Sequence, residues 1–315
     1  MPEAHNNKHP INFDDEINIR ELFHVLLEGK WIIVSITTFL SIIGVIYSLL
    51  LPNIYESKAL LVRANPSSTI NGAMGNYSGL AGLAGINIPS GGYEDNSSKA
   101  IQKIRSLSFF ENNILANIYL PDLMAVKSWD SKTDTVAFNE NLYDTKTNTW
   151  VRETSDPRRK IPSAQESYGV FLTNHLSLIE DQKTNFITVA IRHQSPFIAK
   201  QWVELVVDEI NNFYRQKDKA ESERAVSYLN QQISMTALSE IKQVIAQLLQ
   251  EETKKLTLIE ANQYYVFDYI DPPAVMEKKS GPNRALICIL SALFGGMLSI
   301  MFVLSRHYFF NEKYQ

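Results

Sequence analysis

The sequence predicts a membrane protein in which two transmembrane helices flank an α+β domain built on one very long, kinked helix. Three observations predict it. Two apolar blocks, residues 31–51 and 285–304, contain no Asp, Glu, Lys or Arg. Residues 197–271 contain neither glycine nor proline and hold apolar side chains at helical spacing over most of their length. Between and after these lie short β-rich runs.

The average composition hides this organisation, because a hydrophobic fraction of 45% over 315 residues is ordinary for a globular protein. At about 1.5 Å per residue, a run of roughly 20 residues covers about 30 Å, the hydrocarbon thickness of a bilayer. Acidic side chains precede the first block and no small-residue cleavage site follows it, so it reads as a retained span. The net charge of −4 gives no electrostatic argument for nucleic acid. The sole cysteine, Cys288, lies inside the second block, which excludes an intrachain disulfide.

Residues 1–30 read as a polar tail followed by a helix. Asp14 or Asp15 can cap that helix, and Ile17, Leu22, Val25 and Leu26 give it an apolar face. It is expected to run through Lys30 and Trp31 into the first span, 31–51, where Trp31 suits a headgroup-level anchor. Residues 52–284 form the expected soluble domain. A strand is predicted at 54–63, a Gly/Ser/Asn-rich loop at 65–98 and a helix at 99–118. Residues 128–162 read as irregular, 165–178 as a helix, and 185–192 as a half-buried strand able to pair with 54–63.

Ser195 and Pro196 then cap and open the long helix, predicted over about 196–261. Its apolar phase slips at 234–239, which predicts a kink or break. Residues 215–224 are nearly all charged or polar and are expected to face water on every side. A β-rich run at 264–270 and two prolines return the chain to the second span, 285–304. A short tail, 305–315, follows.

Within the second span Ser291, Gly295 and Ser299 recur every four residues beside Ala292 and Gly296, which leaves one helix face nearly bare. Ser41, Gly44 and Ser48 are the counterpart in the first span. Two spans place both termini on one side of the membrane. Charge counting does not decide which side, because long loops translocate largely regardless of charge.

The terminal helix, post-span strand, long helix and the approach Asp271-Pro-Pro-Ala-Val-Met-Glu-Lys-Lys-Ser-Gly-Pro-Asn-Arg284 together resemble bacterial polysaccharide co-polymerases, most closely the Wzz-type O-antigen chain-length determinants. The family's proline-rich motif maps onto Pro273, Ser280, Pro282, Arg284, Gly295 and Gly296. Met276 stands where many relatives carry a further proline, which implies a less rigid approach to the membrane. The resemblance implies an inner-membrane homo-oligomer of about eight subunits with a bell-shaped ring of periplasmic domains and cytoplasmic termini. It implies as partners a glycan polymerase, lipid-linked polysaccharide and the bilayer, and a role in setting the length of a lipopolysaccharide O-antigen.

No catalytic constellation is legible. The series Gly79, Gly82, Gly85 lacks the lysine of a phosphate-binding loop. His5, His9, His24, His175, His193 and His307 show no ligand spacing, and the pairs Asp14–Asp15 and Glu251–Glu252 sit in solvated helical positions. The expectation is therefore no enzyme, no metal, no cofactor and no nucleic acid. Two other readings stand beside the leading one. One is a co-polymerase for capsule or exopolysaccharide export. The other is a two-span sensor with a periplasmic ligand domain, for which residues 305–315 leave no room for an output module.

Overall fold

A computed structural model describes residues 19–64 and 96–311. The expected tail, the Asp14 or Asp15 cap and most of the Gly-rich loop lie outside the described residues. The chain divides into two compact units, one of the two terminal segments (Met1–Leu51 and Pro282–Gln315) and one of Pro52–Gly281.

In the first unit, helix α1 (Ile19–Glu28) stops at Gly29 and α2 (Lys30–Leu50) begins at once. The predicted continuous entry is thus interrupted by one residue. A Cβ on Gly29 would stand 2.5 Å from Cγ1 of Val303, so close packing against the other terminal helix requires glycine there. That helix, the last of the chain, covers Arg284–Asn311. Both helices are long and apolar enough to cross a membrane.

The second unit is a four-stranded antiparallel sheet with helices packed on one face. Its strands are β1 (Tyr55–Arg63), β6 (Leu176–Glu180), β7 (Ile187–His193) and β8 (Phe267–Asp271), in the order β6-β7-β1-β8. The predicted pairing of the first strand with the run near residue 190 is present, from Tyr55 opposite His193 to Leu61 opposite Ile187. Along β1, Ser57, Ala59 and Leu61 point inward while Lys58 is exposed, the period of two that fixes register.

Between β1 and β6 lie α3 (Asn96–Ile104), α4 (Leu120–Met124), two small hairpins and α5 (Ala164–Val170). The helix expected over 99–118 breaks at Ser106, whose hydroxyl accepts from the Phe109 amide and restarts the chain in short turns. The helix expected over 165–178 ends early. It widens into a π turn (Phe171–His175), and residues 176–178 already belong to edge strand β6.

Residues 128–162 are irregular only in part: 151–162 hold neither helix nor strand, whereas the stretch before them is ordered into hairpins. These hairpins are β2–β3 (Val126–Asp130 with Thr135–Phe138) and β4–β5 (Tyr143–Asp144 with Thr149–Trp150). Their turns share one design. In Asp130-Ser-Lys-Thr-Asp134 and Asp144-Thr-Lys-Thr-Asn148 the leading carboxylate accepts from the lysine amide, at 2.9 Å in each, and from the threonine hydroxyl. The last residue is left-handed, at φ 49° and 52°. The β6–β7 turn, Asp181-Gln-Lys-Thr-Asn185, repeats the spelling, with Asn185 at φ 58° and a 2.8 Å bond from the Lys183 amide.

The long helix opens as α6 (Pro196–Met235), with the Ser195 hydroxyl accepting from the Ile198 amide. Ala199, Val203, Val206, Val207 and Ile210 are fully buried against Ala59, Leu61, Val189, Ile191 and Phe267. At about 1.5 Å per residue its 40 residues reach about 60 Å. The predicted break falls at residues 236–238, where Thr236 and Leu238 are extended, and α7 (Ser239–Ala261) follows. Helix α7 packs back along α6 and does not extend it, so the end-to-end helix of about 100 Å expected for an unbroken 196–261 is not formed.

This return overturns the expectation for residues 215–224. Lys219 pairs with Glu260 at 2.5 Å, Asp218 accepts from the Tyr265 hydroxyl at 2.6 Å, and Ser222 is buried. Polar residues line a helix–helix seam there because the returning segment supplies partners. Arg215 donates to the carbonyls of Asn262, at 2.8 Å, and Gln263. Asn211, 4% exposed, receives the amides of Val266 and Phe267 at 2.7 and 2.9 Å and donates to the Phe267 carbonyl at 3.0 Å. One carboxamide thus fixes the entry of β8.

Two of the six histidines meet in the core. His175 and His193 stack at 5.7 Å, and both rings meet Trp202 edge-on. The Ser195 amide donates to His193 Nδ1, so Nε2 carries the hydrogen and donates to the Asp122 carbonyl. Burial pushes the His193 imidazole down to about 4 and lowers His175 in the same direction. Burial raises the Asp122 carboxyl to about 6.

Asn211→Ala leaves buried amides of residues 265–267 without an acceptor and is expected to cost about 3 kcal/mol, read from urea unfolding followed by circular dichroism. An unchanged midpoint would show that the clamp is redundant. For His193 the folded value lies below the ordinary 6.5, so its contribution is present above pH 6.5 and lost as pH falls toward 4. That loss reaches about 3 kcal/mol. Asp122 has the opposite sign: its contribution is present below the ordinary 3.8 and fades as pH rises through about 6. The stability gap between the parent and His193→Asn should therefore narrow from pH 7 to pH 4.5. A gap independent of pH would contradict a buried neutral imidazole.

Candidate functional site

The residues singled out in the two apolar helices lie in an antiparallel pair formed by α2 and the last helix, α8 (Arg284–Asn311). Small residues are needed where the backbones come closest. A Cβ on Gly44 would lie 2.1 Å from the Ser291 hydroxyl oxygen, and one on Gly295 would lie 3.2 Å from Leu40 Cβ and 3.3 Å from Thr37 Cα. Ser48 and Ser299 are buried in the same seam.

Three of the serine hydroxyls are satisfied by backbone carbonyls, as an apolar surrounding favours, whereas the buried Ser48 hydroxyl has no hydrogen-bond partner among the described residues. Ser41 donates to the Thr37 carbonyl at 2.8 Å, Ser291 to the Cys288 carbonyl at 2.9 Å and Ser299 to the Gly296 carbonyl at 2.8 Å. Across the pair, the Thr37 and Ser299 hydroxyls are 3.3 Å apart. Ser41 is only half-buried, and a Cβ on Gly296 meets nothing within 4 Å. Gly44, Ser48, Ser291, Gly295 and Ser299 are therefore brought together, whereas Gly296 faces away from the seam.

Thr37 and Gly29 belong to the seam and were missed in the sequence. The signal for Thr37 was present, since residues 37, 41, 44 and 48 continue one spacing of fours and threes. Gly29 carried no periodic signal.

The proline-rich approach is divided between the two units. In the 52–281 unit Pro273 is buried, and the next carbonyl, of Ala274, accepts from the Ser57 hydroxyl at 2.8 Å. Ser280 lies beside the strand entrance: its amide donates to the Ile54 carbonyl at 2.8 Å, and the Ile54 amide donates to the Gly281 carbonyl at 2.9 Å. In the terminal unit Pro282 is half-buried, and Arg284 donates to the Leu51 carbonyl at 3.4 Å. Leu51 follows the last turn of α2, where a cation complements the exposed carbonyls. Among the described residues no three His, Cys, Asp or Glu side chains converge to hold a metal.

Gly44→Leu is expected to force the pair apart. In a Cys288→Ser background with Thr37→Cys and Ser299→Cys, oxidative cross-linking within one chain should fall severalfold when Gly44→Leu is added. Undiminished cross-linking would mean that the seam tolerates the bulk.

Three comparisons with known proteins bear on this arrangement. No match was found among curated protein sequences. Solved structures similar to the chain include a full-length bacterial polysaccharide co-polymerase, 14% identical over 95% of this chain and 100% of that one, with a TM-score of 0.42. Another is a fragment of WzzB, a polysaccharide co-polymerase from Salmonella Typhimurium, 12% identical over 73% of this chain and 100% of that one, with a TM-score of 0.31. Likeness at that level carries no argument about function. The family model described as Wzz, chain length determinant protein, matches residues 15–133, from the segment before α2 to the turn between β2 and β3. Over that segment the chain is a match to the Wzz chain length determinant family, the family its sequence resembles.

Proposed function

We propose that the chain is a non-catalytic regulator of surface polysaccharide length, acting as a homo-oligomeric co-polymerase on a glycan polymerase of the inner membrane. The observation that carries this reading is the family match, which runs from the segment before the first apolar helix, through it, and into the soluble unit. Both terminal helices belong in lipid on this reading. Apart from their mutual seam their apolar side chains are open, with Leu50 77% and Met301 70% exposed, a surface that water would not tolerate over this length. The 52–281 unit then sits in the periplasm with both termini in the cytoplasm, and the glycan regulated is the O-antigen of lipopolysaccharide.

Oligomerisation is supported by the tip of the α6–α7 hairpin. Met235, Leu238, Ile241, Val244 and Leu248 are all exposed there, apolar side chains of the kind that mark protein contacts where they gather. Copies standing side by side in a ring of about eight bring equal heights of the hairpin together. The chain in this reading makes and breaks no bonds. It biases the polymerase toward release after a preferred number of repeats.

Deleting the gene and running the surface glycan on a gel tests this directly: the preferred length band should vanish while polymer is still made, and an unchanged distribution would remove the proposal. Gly296, whose open side leaves it free for another helix in the membrane, provides a finer test. Gly296→Leu should broaden the length distribution with the soluble unit still folded. Normal length control in that variant would leave this helix face without a role.

A further inference from the structure

We propose that neighbouring copies of this chain meet head to tail through a charge contact, the 158–160 loop of one copy against the Glu204 and Asp208 face of α6 in the next. The inference rests on the homo-oligomer proposed above and names one of its contacts.

The loop is held rigidly by a buried cation. Arg152, 9% exposed, donates from Nε to the Lys160 carbonyl and from Nη2 to the Arg159 carbonyl, each at 2.7 Å, and grips Glu166 with both terminal nitrogens. Two consecutive loop carbonyls are thereby fixed, and the side chains of Arg158, Arg159 and Lys160 are displayed on the surface. Glu166 is already committed to Arg152, whose hydrogen bonds hold its carboxyl below the usual range. Glu153 and Asp156 earlier in the same stretch are exposed too and offset part of this charge, which leaves the three consecutive cations as its positive end.

The complementary face is on α6. Glu204 and Asp208 lie one turn apart, Lys200 stands 2.9 Å from Glu204, and Glu209, beside them, accepts from the Asn113 carboxamide at 3.0 Å. Burial and the two neighbouring carboxylates hold the Asp208 carboxyl above its usual range. Asp208 lies one turn before Asn211 on the same helix, and the Asn211 carboxamide donates to the Phe267 carbonyl of β8 at 3.0 Å, which places this face beside β8. Strand β8 is one edge of the sheet. Helix α5, which carries Glu166 in its first turn, is tied to β6, the other edge: its Tyr168 hydroxyl donates to the Arg105 carbonyl, and Arg105 donates to the Leu178 carbonyl of β6 at 3.0 Å.

Opposite charges on opposite flanks of one domain meet in a neighbouring copy more readily than within one chain. A contact between unlike patches is heterologous and closes a ring when the rotation permits. At a solvent-exposed rim such charges chiefly set register and are screened by salt.

The test uses the full chain purified in detergent, with oligomer mass followed by light scattering. Reversing the loop (Arg158→Glu, Arg159→Glu, Lys160→Glu) or the helix face (Glu204→Lys, Asp208→Lys) should each raise the dissociation concentration tenfold or more. All five substitutions in one chain should restore it to within about threefold. Raising salt from about 0.05 to about 0.5 M should weaken the wild type in the same direction. Indifference to both reversals, or a combined chain no better than either alone, overturns this contact while leaving an oligomer in place. A wild-type chain that is monomeric at every concentration overturns the oligomer itself.

Discussion

The 52–281 unit depends on the requirement that a 40-residue helix be tied to the strand that comes back past it. Helix α6 buries one apolar face on the sheet through its first four turns, and that burial alone would leave the second half of the helix and the return path free. Asn211 resolves this at the point where the apolar face ends. Its carboxamide acts as a surrogate strand edge for residues 265–267, so that β8 is delivered to β1 in register. Arg215 and Asp218, one and two turns further on, hold the residues just before it. A polar group fully satisfied in the interior gives direction that apolar packing cannot.

The same economy governs the terminal unit, with lipid in place of core. Between two helices in hydrocarbon, apolar burial supplies no driving force, and association rests on close packing and on hydroxyls that need partners. Gly44 and Gly295 allow the approach, and Ser41, Ser291 and Ser299 return their hydrogens to carbonyls of their own helices. What remains outside the seam, Gly296 included, is open to a partner.

Much of this was legible from residue pattern. Charge-free blocks, a proline-capped helix and alternating β-branched residues are local signals, and the helices and the β1–β7 pairing follow from them. The break at 236–238 was visible as a phase slip of the apolar residues. The direction taken after the break was not, because a helix that folds back and one that continues share the same periodicity. Residues 215–224 looked solvated for the same reason: their partners, Glu260, Asn262 and Tyr265, lie some forty to fifty positions away. The small hairpins were legible in principle. Asp-x-Lys-Thr followed by Asp or Asn occurs three times, each time as a turn, but it reads as ordinary polar sequence until the repetition is noticed.

The short bridge between Ile54 and Gly281 closes the 52–281 unit on itself. The polypeptide enters and leaves that unit through two neighbouring strands of backbone, so the interval between its ends is fixed by the hydrogen bonds of Ile54 with Ser280 and Gly281, whatever anchors lie beyond. Topologically the unit is a cassette: an insertion whose ports are side by side. The spacing of those ports is held from within the unit, so a change in the segments that anchor it does not have to be absorbed by its core.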